Sequence, residues 1–332
     1  MKAILVEPLT ERLYIGDAPA PVPGDNDLLV SVKATALNRA DLLQRRGKYD
    51  PPPGESTIMG LEMAGVVEQV GKNATGWKAG DRVCALLPGG GYAEKAVIPA
   101  GMAMAIPEHL SFAEAAAIPE VFLTAYLNLF VLGGLAAGEH VLIHAAASGV
   151  GTAAIQLARE AGAIPIVTAG SAQKLAVCES LGASCMINYK DGSFADKVLE
   201  ATNGQGVQLI LDPIGASYWE QNVQSIGLDG RWVLIGGLGG YQVERFNIQA
   251  FMRRRIQLIF STLRSRSRPN KIELTERFNR FAAERLAQKK LVPVIDRVYC
   301  WREALEAHQY METNRNIGKI VLTLDESSER RR

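Results

Sequence analysis

Short hydrophobic stretches separated by glycines and prolines fill the first 120 residues of the chain. Residues 27–34 alternate apolar and polar side chains, as a strand with one buried face does. Four other segments are predicted to be strands: 2–6, 64–71, 81–88 and 91–99. The proline-rich stretch after the first of them is predicted to be a loop. Many short strands with turn residues between them indicate an irregular, strand-rich domain of the partly open barrel type.

The hydrophobic pattern becomes helical near Ser111. Residues 111–130 have apolar side chains at helical spacing, and Ser111 and Glu114 are placed as a capping box. Further along, apolar strands alternate with helices that have one apolar face. The predicted strands are 140–146, 164–170, 185–189, 206–215 and 230–237, and the helices are 149–163 and 171–183. This alternation indicates βαβ units, and therefore a parallel sheet with helices on both faces.

The C-terminal segments complete the predicted organisation. Residues 255–262 could add a last strand at the sheet edge, and a helix with one polar face is predicted over 270–290. The following stretch has a strand–helix–strand pattern, and we expect it to return to the N-terminal domain. The prediction is an α/β chain whose strand-rich domain comprises 1–120 plus 291–332 and whose doubly wound parallel sheet comprises 121–290. The tail, 326–332, is predicted to be disordered.

Composition narrows the classes of function. The chain has 332 residues, and 36 Lys and Arg against 35 Asp and Glu leave a net charge of +1, so no overall field draws it to nucleic acid or an anionic membrane. Its four cysteines form no CxxC pair and have no histidine at metal-ligand spacing, so we expect reduced, mostly buried thiols. Glu7 and Glu11 interrupt any N-terminal signal core, and no apolar run approaches about 18 residues. The expected location is the cytoplasm, with no membrane span.

The most informative segment is the turn HAAASGVG, residues 144–151. It lies between a predicted buried strand and an amphipathic helix, where a dinucleotide fingerprint belongs. The first N–H groups of a helix and its dipole favour a pyrophosphate. The residues assigned to this contact are Ser148, Gly149, Val150 and Gly151. Ala146 and Ser148 stand where the standard motif has its first two glycines, and an ordinary tight βα turn is the alternative.

The end of the second parallel strand indicates which cofactor binds. Chains that bind NAD usually place Asp or Glu about 20 residues after the glycine turn, where it binds the ribose hydroxyls. Here Gly170 and Ser171 stand in that place and Lys174 follows one turn later. No carboxylate repels a 2′-phosphate, which Lys174 could neutralise and Ser171 could hydrogen-bond. Tyr189 could cover the same pocket. NADPH is therefore predicted over NADH, although Lys174 could also be a solvated surface lysine.

Nine segments between residues 36 and 322 resemble those of a known family. They include ALNRADLLQRRGKYDPPPG, GLEMAGVVEQVG, AAAIPEVFLTAY, HAAASGVGTAAIQLAR, LDPIG and NIGKIVL, in this order along the chain. The sequence resembles the medium-chain dehydrogenase/reductase superfamily, and within it the zinc-independent, zeta-crystallin-like quinone oxidoreductases. The resemblance implies a Rossmann domain for NADPH and a GroES-like catalytic domain, which is the partly open barrel.

The resemblance also indicates a chain that binds no metal. Zinc-dependent members hold a catalytic zinc with Cys and His. Asn38 stands where that Cys would be, and Leu61 stands where the GHE motif supplies His. The cysteine-rich lobe that carries structural zinc is replaced by the short loop 86–92. Because zinc needs thiolate and imidazole ligands, both metal sites are expected to be empty. Direct hydride transfer remains, and it suits a quinone, whose reduction needs no strong protein acid.

The resemblance implies which residues meet substrate and cofactor. The substrate would lie in the cleft between the domains, beside Asn38, Asp41 and Tyr49. Tyr49 could hydrogen-bond a carbonyl oxygen or stack on a flat ring, and Asp41 could orient a ribose or nearby backbone; each could instead shape a turn or a wall. Further cofactor contacts are implied, each of which could equally be packing. They are Thr124, Ile214, Ile235, Gly236, Gly237, Phe260, Ser261, Thr262, Asn316 and Lys319.

The edge strand near 255–262 suggests how the chain assembles. Family members often dimerise by pairing this strand with its copy, and an apolar edge is a liability unless it is paired or covered. A homodimer is the hypothesis, and a monomer with a covered edge is the alternative. Six arginines surround this strand, and some relatives bind RNA, but solvated charge explains them better because no aromatic stacking surface is interleaved. These arginines are Arg253, Arg254, Arg255, Arg264, Arg266 and Arg268.

Three functions follow from these patterns. The first is an NADPH-dependent reductase of quinones. The second is an NADPH-dependent reductase of α,β-unsaturated carbonyls, namely enals, enones or enoyl thioesters, because the same fold and hydride delivery serve both. The third is a cofactor-binding protein with a structural or RNA-binding role, which would bind NADPH without useful turnover.

Overall fold

The computed structural model describes residues 1–7 and 9–324, so the tail predicted to be disordered lies outside the described residues. The strands are β1 (Lys2–Val6), β2 (Leu13–Asp17), β3 (Asp27–Ala36), β4 (Glu62–Val70), β5 (Arg82–Leu86), β6 (Lys95–Pro99), β7 (Ala103–Ala105), β8 (His140–Ile143), β9 (Ile164–Ala169), β10 (Cys185–Asn188), β11 (Val207–Asp212), β12 (Ile226–Leu234), β13 (Gln257–Phe260), β14 (Ile295–Cys300) and β15 (Lys319–Thr323). The α-helices are α1 (Arg39–Arg45), α2 (Phe112–Ala116), α3 (Pro119–Tyr126), α4 (Gly149–Glu160), α5 (Ala172–Ser180), α6 (Phe194–Ala201), α7 (Trp219–Ser225), α8 (Ile248–Arg254), α9 (Arg268–Ala287) and α10 (Ala304–Glu312).

Two compact units make up the described chain. The first comprises residues 1–123 and continues from residue 264, and the second comprises 124–263. The predicted boundary at residue 290 differs from this division, because α9 packs within the first unit. Phe278 of α9 lies 6.2 Å from Phe122, ring centre to ring centre, and the Lys271 ammonium donates to the Arg264 carbonyl oxygen at 2.6 Å. The hydrophobic pattern of an amphipathic helix does not say which unit its apolar face will meet.

The second unit is built on a six-stranded sheet in the order β10-β9-β8-β11-β12-β13, with every neighbouring pair parallel. The chain starts in the middle of the sheet, winds outward to β10, returns to β11 beside β8, and continues to β13. This is the doubly wound order, and it confirms the predicted Rossmann-like sheet. Leu142, Ile166 and Trp232 form part of its core.

The first unit contains the mixed sheet β14-β15-β3-β4-β5-β7, with β6 paired to β3, and a separate β1–β2 hairpin. Val321 of β15 lies opposite Ala36 of β3, so the C-terminal strands do return to the N-terminal unit. Val30, Met63 and Val83 belong to one core cluster. The fold class is therefore the predicted one, with a parallel Rossmann-like sheet and a GroES-like unit.

Local differences from the predicted elements have physical reasons. The loop predicted after residue 6 contains β2, whose Leu13 and Ile15 pack into a core, but two alternating apolar residues are too short a signal. The helix predicted over 111–130 is divided, because Pro119 has no N–H to donate and instead begins α3. The predicted capping box of Ser111 and Glu114 forms at the start of α2.

One helical stretch within the described residues, Phe112–Leu132, is long and apolar enough to cross a membrane by length and composition. The stretch contains Glu114 and Glu120, so it reaches this length without being an unbroken apolar run. Most of this stretch is buried inside the protein, as in the core helix of a globular unit. By itself it is weak evidence for a membrane span.

Candidate active site

The turn between β8 and α4 has the geometry of an anion site. Ser148 caps α4, and its Oγ accepts the Gly151 N–H at 3.1 Å. The N–H groups of Gly149 and Val150 belong to the first helical turn and therefore have no acceptor within the helix. A Cβ at Gly151 would lie 2.4 Å from the Ala146 carbonyl oxygen, so only glycine fits there. Ser148, Gly149 and Val150 are partly exposed, and they fit a pyrophosphate that accepts from the free N–H groups.

The end of β9 forms the second part of this site. A Cβ at Gly170 would lie 2.5 Å from the Tyr189 hydroxyl, so the tyrosine lies against bare backbone there. Ser171 caps α5, and its Oγ accepts the Lys174 N–H at 3.3 Å. Tyr189 keeps 41% of its surface exposed. Together these residues provide hydroxyl groups and an ammonium, with no carboxylate among them.

The Asp212 carboxylate, which the sequence reasoning did not single out, organises the next loop. It is fully buried at the end of β11. One oxygen accepts the N–H groups of Ile214, at 2.6 Å, and Gly215, at 3.0 Å. The other accepts the Asn222 amide and the Trp232 indole, each at 3.0 Å. Four donors satisfy the charge, and two of them fix the loop that carries Ile214.

His144 continues this network across the strand ends. Its Nε2 lies 2.7 Å from Asn222 Oδ1, and its Nδ1 lies 2.8 Å from Thr168 Oγ1. Because the Asn222 amide nitrogen donates to Asp212, its oxygen accepts, so His144 carries its proton on Nε2 and Thr168 donates to Nδ1. Burial lowers the pKa of His144. A neutral imidazole therefore links β8, β9 and β11. In the sequence, the only sign of this network is a polar residue at the end of an apolar strand: His144 after β8 and Asp212 at the end of β11.

The other predicted cofactor contacts fall in several places. In the second unit, Ile235 donates to the Asp212 carbonyl at 2.9 Å and Ser261 donates to the Leu234 carbonyl at 3.0 Å. The loop carrying Gly236 and Gly237 therefore lies beside the Ile214 loop. Phe260 ends β13 with 72% of its surface exposed and Thr262 follows two residues later. Thr124 of α3 accepts the Asn128 amide at 2.7 Å.

Lys319 has a different position from the one implied, since its ammonium was expected to contact cofactor phosphates. It is buried in the first unit and donates to Glu62 Oε1 at 2.7 Å, Asn38 Oδ1 at 2.7 Å and the Leu37 carbonyl at 2.6 Å. Those three acceptors use all three of its protons. Asn316, also in the first unit, donates to the Gly318 carbonyl at 2.9 Å. Lys319 is therefore the partner of a buried glutamate rather than a phosphate ligand.

Glu62 is the centre of this cluster and has no exposed surface. Besides Lys319, its Oε1 accepts the Asn38 amide at 2.8 Å, and its Oε2 accepts the Glu120 N–H at the start of α3, also at 2.8 Å. Leu61, where the resemblance placed a missing histidine ligand, is a buried core residue. Among the described residues, no group of three His, Cys, Asp or Glu side chains is placed to hold a metal ion.

Asp41, one of the predicted catalytic residues, has a structural position on α1. It is fully buried, and its Oδ2 accepts the Asn38 N–H at 2.7 Å, closing a capping box on α1. Its Oδ1 accepts the Gly60 N–H at 3.3 Å, and the Tyr92 hydroxyl lies 3.4 Å from Oδ2. Burial raises the pKa of Asp41 to about 6. Of the two roles that the sequence left open, the carboxylate takes the one of orienting backbone.

Tyr49 is partly exposed and is held by Arg264, a residue that sequence reasoning had placed only in a surface cluster. The Arg264 guanidinium lies 5.0 Å from the centre of the Tyr49 ring and donates to the Tyr49 carbonyl at 3.4 Å. It also donates to the Pro88 carbonyl at 2.8 Å and to Gln44 Oε1 at 2.7 Å. Burial raises the pKa of the Tyr49 hydroxyl. Arg264 thus fixes the loop that presents Tyr49.

Three of the six arginines grouped by sequence are bound to neighbouring groups of the protein. Arg264 is buried in the first unit. In the second unit, Arg254 donates to the Ile226 carbonyl at 3.1 Å, and Arg255 pairs with Asp229 at 2.6 Å. These contacts tie three of the cations to neighbouring groups.

Comparisons with known proteins agree with this fold. Residues 24–108 match the family described as alcohol dehydrogenase GroES-like domain, and residues 149–279 match zinc-binding dehydrogenase. The chain is similar to the rat synaptic vesicle membrane protein VAT-1 homolog, at 31% identity over 94% of this chain and 80% of that one. It is equally similar to human quinone oxidoreductase, at 31% identity over 93% of this chain and 92% of that one.

Solved structures extend the likeness over nearly the whole chain. A structure described as an NAD-dependent alcohol dehydrogenase superposes with a TM-score of 0.86 at 31% identity, covering 98% of this chain and 100% of that one. The CurK enoyl reductase gives 0.85 at 28% identity, covering 97% and 98%. A mycobacterial protein complexed with NADPH gives 0.84 at 29% identity, covering 97% and 100%.

The chain therefore belongs to the medium-chain dehydrogenase/reductase superfamily, in the zeta-crystallin-like branch that includes the quinone oxidoreductases. It is an oxidoreductase of that superfamily. Within the branch, the segments quoted above also resemble the p53-inducible quinone oxidoreductase, a finer placement that stays a prediction.

Proposed function

We propose that this chain is an NADPH-dependent, zinc-independent reductase that passes hydride to quinones. The single observation that carries the proposal is the pairing of two features in the second unit. One is the anion-binding turn at Ser148–Gly151, and the other is the end of β9, where Gly170 and Ser171, followed by Lys174, occupy the place of the acidic residue usual in NAD-binding chains. When bound, NADPH would supply the hydride. The protein's task is to bind it, orient it and present the substrate.

The preference for NADPH rests on charge at the end of β9. A carboxylate there would bind the ribose hydroxyls of NADH and repel a 2′-phosphate. The Lys174 ammonium and the Ser171 hydroxyl suit the phosphate instead. The likeness to a structure complexed with NADPH supports this choice, whereas the likeness to an NAD-dependent alcohol dehydrogenase makes NADH the alternative to be tested.

Zinc independence rests on the donor set in the first unit. At the two positions that the resemblance assigns to zinc ligands stand the Asn38 amide and the Leu61 side chain. The Asn38 amide is committed on both sides, donating to Glu62 and accepting from Lys319. A buried leucine offers no lone pair, and zinc sites are built from thiolate, imidazole and carboxylate. These residues do not fit the metal, so substrate polarisation is assigned to protein hydrogen bonds.

The proposed substrate site lies beside Tyr49 and Asn38 in the first unit. Tyr49 offers a ring for stacking and a hydroxyl for a carbonyl oxygen, and Arg264 holds its loop in place. Quinones suit such a site because they are flat and carry two carbonyl oxygens. The similarity to a protein named quinone oxidoreductase supports this substrate class.

Reduction of α,β-unsaturated carbonyls is the second candidate function. The observation that favours it is the likeness to an enoyl reductase, at 28% identity and a TM-score of 0.85. The residues that would bind cofactor are the same in both functions, so only the substrate distinguishes them.

We also propose that the enzyme is a cytoplasmic homodimer. Strand β13 is the last of the six-stranded sheet, and among the described residues it pairs only with β12. Phe260 at its end is 72% exposed, and Met252 of the preceding helix is equally so at 72%. An open strand edge flanked by apolar side chains favours pairing with a second copy.

The decisive experiment measures NADPH and NADH oxidation against an ortho-quinone, a para-quinone, an enal and an enoyl thioester, with EDTA present throughout. The proposal expects NADPH-selective turnover of a quinone that EDTA does not affect. Turnover of only the enal or thioester would move the enzyme to the second candidate. Loss of activity with EDTA would contradict zinc independence, and NADPH binding without turnover would leave a non-catalytic role.

A further inference from the structure

Glu120 lies in the first turn of α3, and its backbone is fixed beside another glutamate. Its N–H donates to Glu62 Oε2 at 2.8 Å, so the two carboxyl groups belong to one cluster. Glu62 has no exposed surface, whereas Glu120 is partly exposed. Among the residues that the structure describes, no side chain donates a hydrogen bond to the Glu120 carboxyl group. The Glu120 carboxyl group is therefore available to a ligand, whereas Glu62, Asn38 and Lys319 already have hydrogen-bond partners within the cluster.

The charges around Glu120 leave it without a cation of its own. Lys319 is committed to Glu62 at 2.7 Å, and the buried Asp41 adds a second negative neighbour from α1. On the α9 side, the Lys271 ammonium donates a hydrogen bond to the Arg264 carbonyl oxygen. Arg264 itself binds two carbonyls and Gln44, and Tyr49 brings no charge at neutral pH. Glu120 thus has two carboxylate neighbours and no cation hydrogen-bonded to its carboxyl group, which is therefore expected to keep its proton.

The direction of titration agrees with this geometry. Burial, and next the charge of Glu62, raise the pKa of Glu120 to about 8, against the opposing effects of Lys319 and Lys271. At pH 7 such a carboxyl group is mostly protonated. Burial, and to a smaller extent the charge of Glu120, raise the pKa of the neighbouring Tyr49 hydroxyl above its ordinary value, so Tyr49 is the poorer acid of the two.

We propose that the protonated carboxyl group of Glu120 is the proton donor of the reduction. The inference rests on the proposed reductase function, for which no proton donor has so far been assigned. As the substrate takes up the hydride with its electron pair, a carbonyl oxygen gains negative charge. The O–H bond of Glu120 breaks, a new O–H bond forms on that oxygen, and the carboxylate left behind recovers a proton from water. NADPH is oxidised and the substrate is reduced by the same two electrons. A weak acid suffices because the phenolate oxygen that forms is a stronger base than the Glu120 carboxylate.

The variant that tests this is Glu120→Gln, which keeps the shape and removes the acid. With the best substrate of the panel, kcat is expected to fall at least tenfold while the Kd of NADPH stays within about twofold. The wild-type kcat should decline above about pH 8, and the variant should lose that limb. Glu108→Gln, at an exposed position of the same unit, is the matched control and should behave as wild type.

A second readout needs no turnover and no cofactor. Infrared difference spectra between about pH 7 and about pH 10, above the range in which Asp41 titrates, should show a carboxylic-acid band that disappears with a midpoint near 8. The band should be absent from Glu120→Gln and present in Glu108→Gln. This measurement holds even if the variant is less stable, provided that its circular dichroism is native.

The outcomes separate the two proposals. Full activity of Glu120→Gln with an unchanged pH profile, or the absence of the infrared band, would overturn the assignment of Glu120 and leave the proposed reductase standing. An inactive wild-type enzyme on every member of the panel would overturn both. Tenfold or greater loss together with the missing band would support both.

Discussion

The ammonium of Lys319 lies 2.7 Å from Oε1 of Glu62, and neither side chain is more than 4% exposed. Glu62 comes from β4 and Lys319 from β15, so the contact joins two strands far apart in sequence. The Lys319 ammonium has no proton left for a hydrogen bond to solvent, because its other two protons are donated to the Leu37 carbonyl oxygen and to Asn38 Oδ1. A buried pair of this kind is costly to break from one side, since the remaining charge is left without a partner.

Replacing Lys319 with Met should therefore destabilise the protein. The expected loss is about 3–5 kcal/mol in the free energy of unfolding, measured by urea denaturation at pH 7, because Glu62 stays buried and unpaired. The double variant Glu62→Gln with Lys319→Met should recover part of that loss. If Lys319 bound cofactor phosphates instead, its replacement would weaken NADPH binding and leave the free energy of unfolding close to that of the wild type.

Replacing Lys174 with Ala should weaken cofactor binding and leave the free energy of unfolding close to that of the wild type. The Kd of NADPH is expected to rise about tenfold, which corresponds to about 1.4 kcal/mol and is typical of one hydrogen bond to a charged group. The Kd of NADH should stay unchanged, because NADH lacks the 2′-phosphate. Fluorescence titration with both cofactors measures this. Lys78→Ala, at an exposed position of the first unit, serves as the control. Equal weakening toward both cofactors would remove Lys174 from the specificity pocket.

Much of the fold was predictable because its signals are local. The turn at Ser148–Gly151 carries its own chemistry, and the alternation of apolar strands with amphipathic helices repeats often enough to define a parallel sheet. The placement of α9 was not predictable, because its apolar face fits any complementary surface. Strand β2 was not predictable either, because its two inward side chains form too short a hydrophobic pattern.

The polar interior of the site was less accessible to sequence reasoning. Asp212 and His144 are single polar residues at strand ends, and only the packed sheet brings them within hydrogen-bond reach of Asn222. The resemblance implied a cofactor contact for Lys319, and nothing local in the sequence indicates that its partner is Glu62. Asp41 looked like a candidate for chemistry, yet its neighbours in space are backbone N–H groups. Which residue a polar side chain contacts across a long stretch of sequence is decided by the tertiary structure and cannot be read from the local sequence.

His308 makes stability depend on pH. It is fully buried in the first unit, its Nε2 lies 3.1 Å from the Tyr92 hydroxyl, and burial lowers its pKa to about 3. The unfolded chain binds a proton on this histidine below about pH 6.5, and the native protein does not. Stability is therefore expected to fall as pH drops through the range between about 6.5 and 3, by at most about 1.4 kcal/mol per pH unit.

The variant His308→Leu should flatten part of that slope. Between about pH 7 and about pH 5 its free energy of unfolding should change less than that of the wild type, by about 1–2 kcal/mol. Its stability at neutral pH should also be lower, since the Tyr92 hydroxyl loses a partner. His109→Gln, at an exposed site, is the matched control and should keep the wild-type slope. Identical slopes for wild type and His308→Leu would show that His308 already protonates in the native protein.

Phe260 tests the proposed assembly. Its side chain stands at the end of the edge strand β13 with 72% of its surface exposed, which is a poor position for a phenylalanine unless something covers it. A lysine there would bring like charges together across a two-fold axis and oppose strand pairing, so Phe260→Lys should shift a dimer to monomer in sedimentation velocity. Val298→Lys makes the same change at a 48% exposed strand position of the first unit and should leave assembly unchanged. A wild-type protein that sediments as a monomer, or a Phe260→Lys variant that stays dimeric, would place the edge strand outside any interface and require another cover for it.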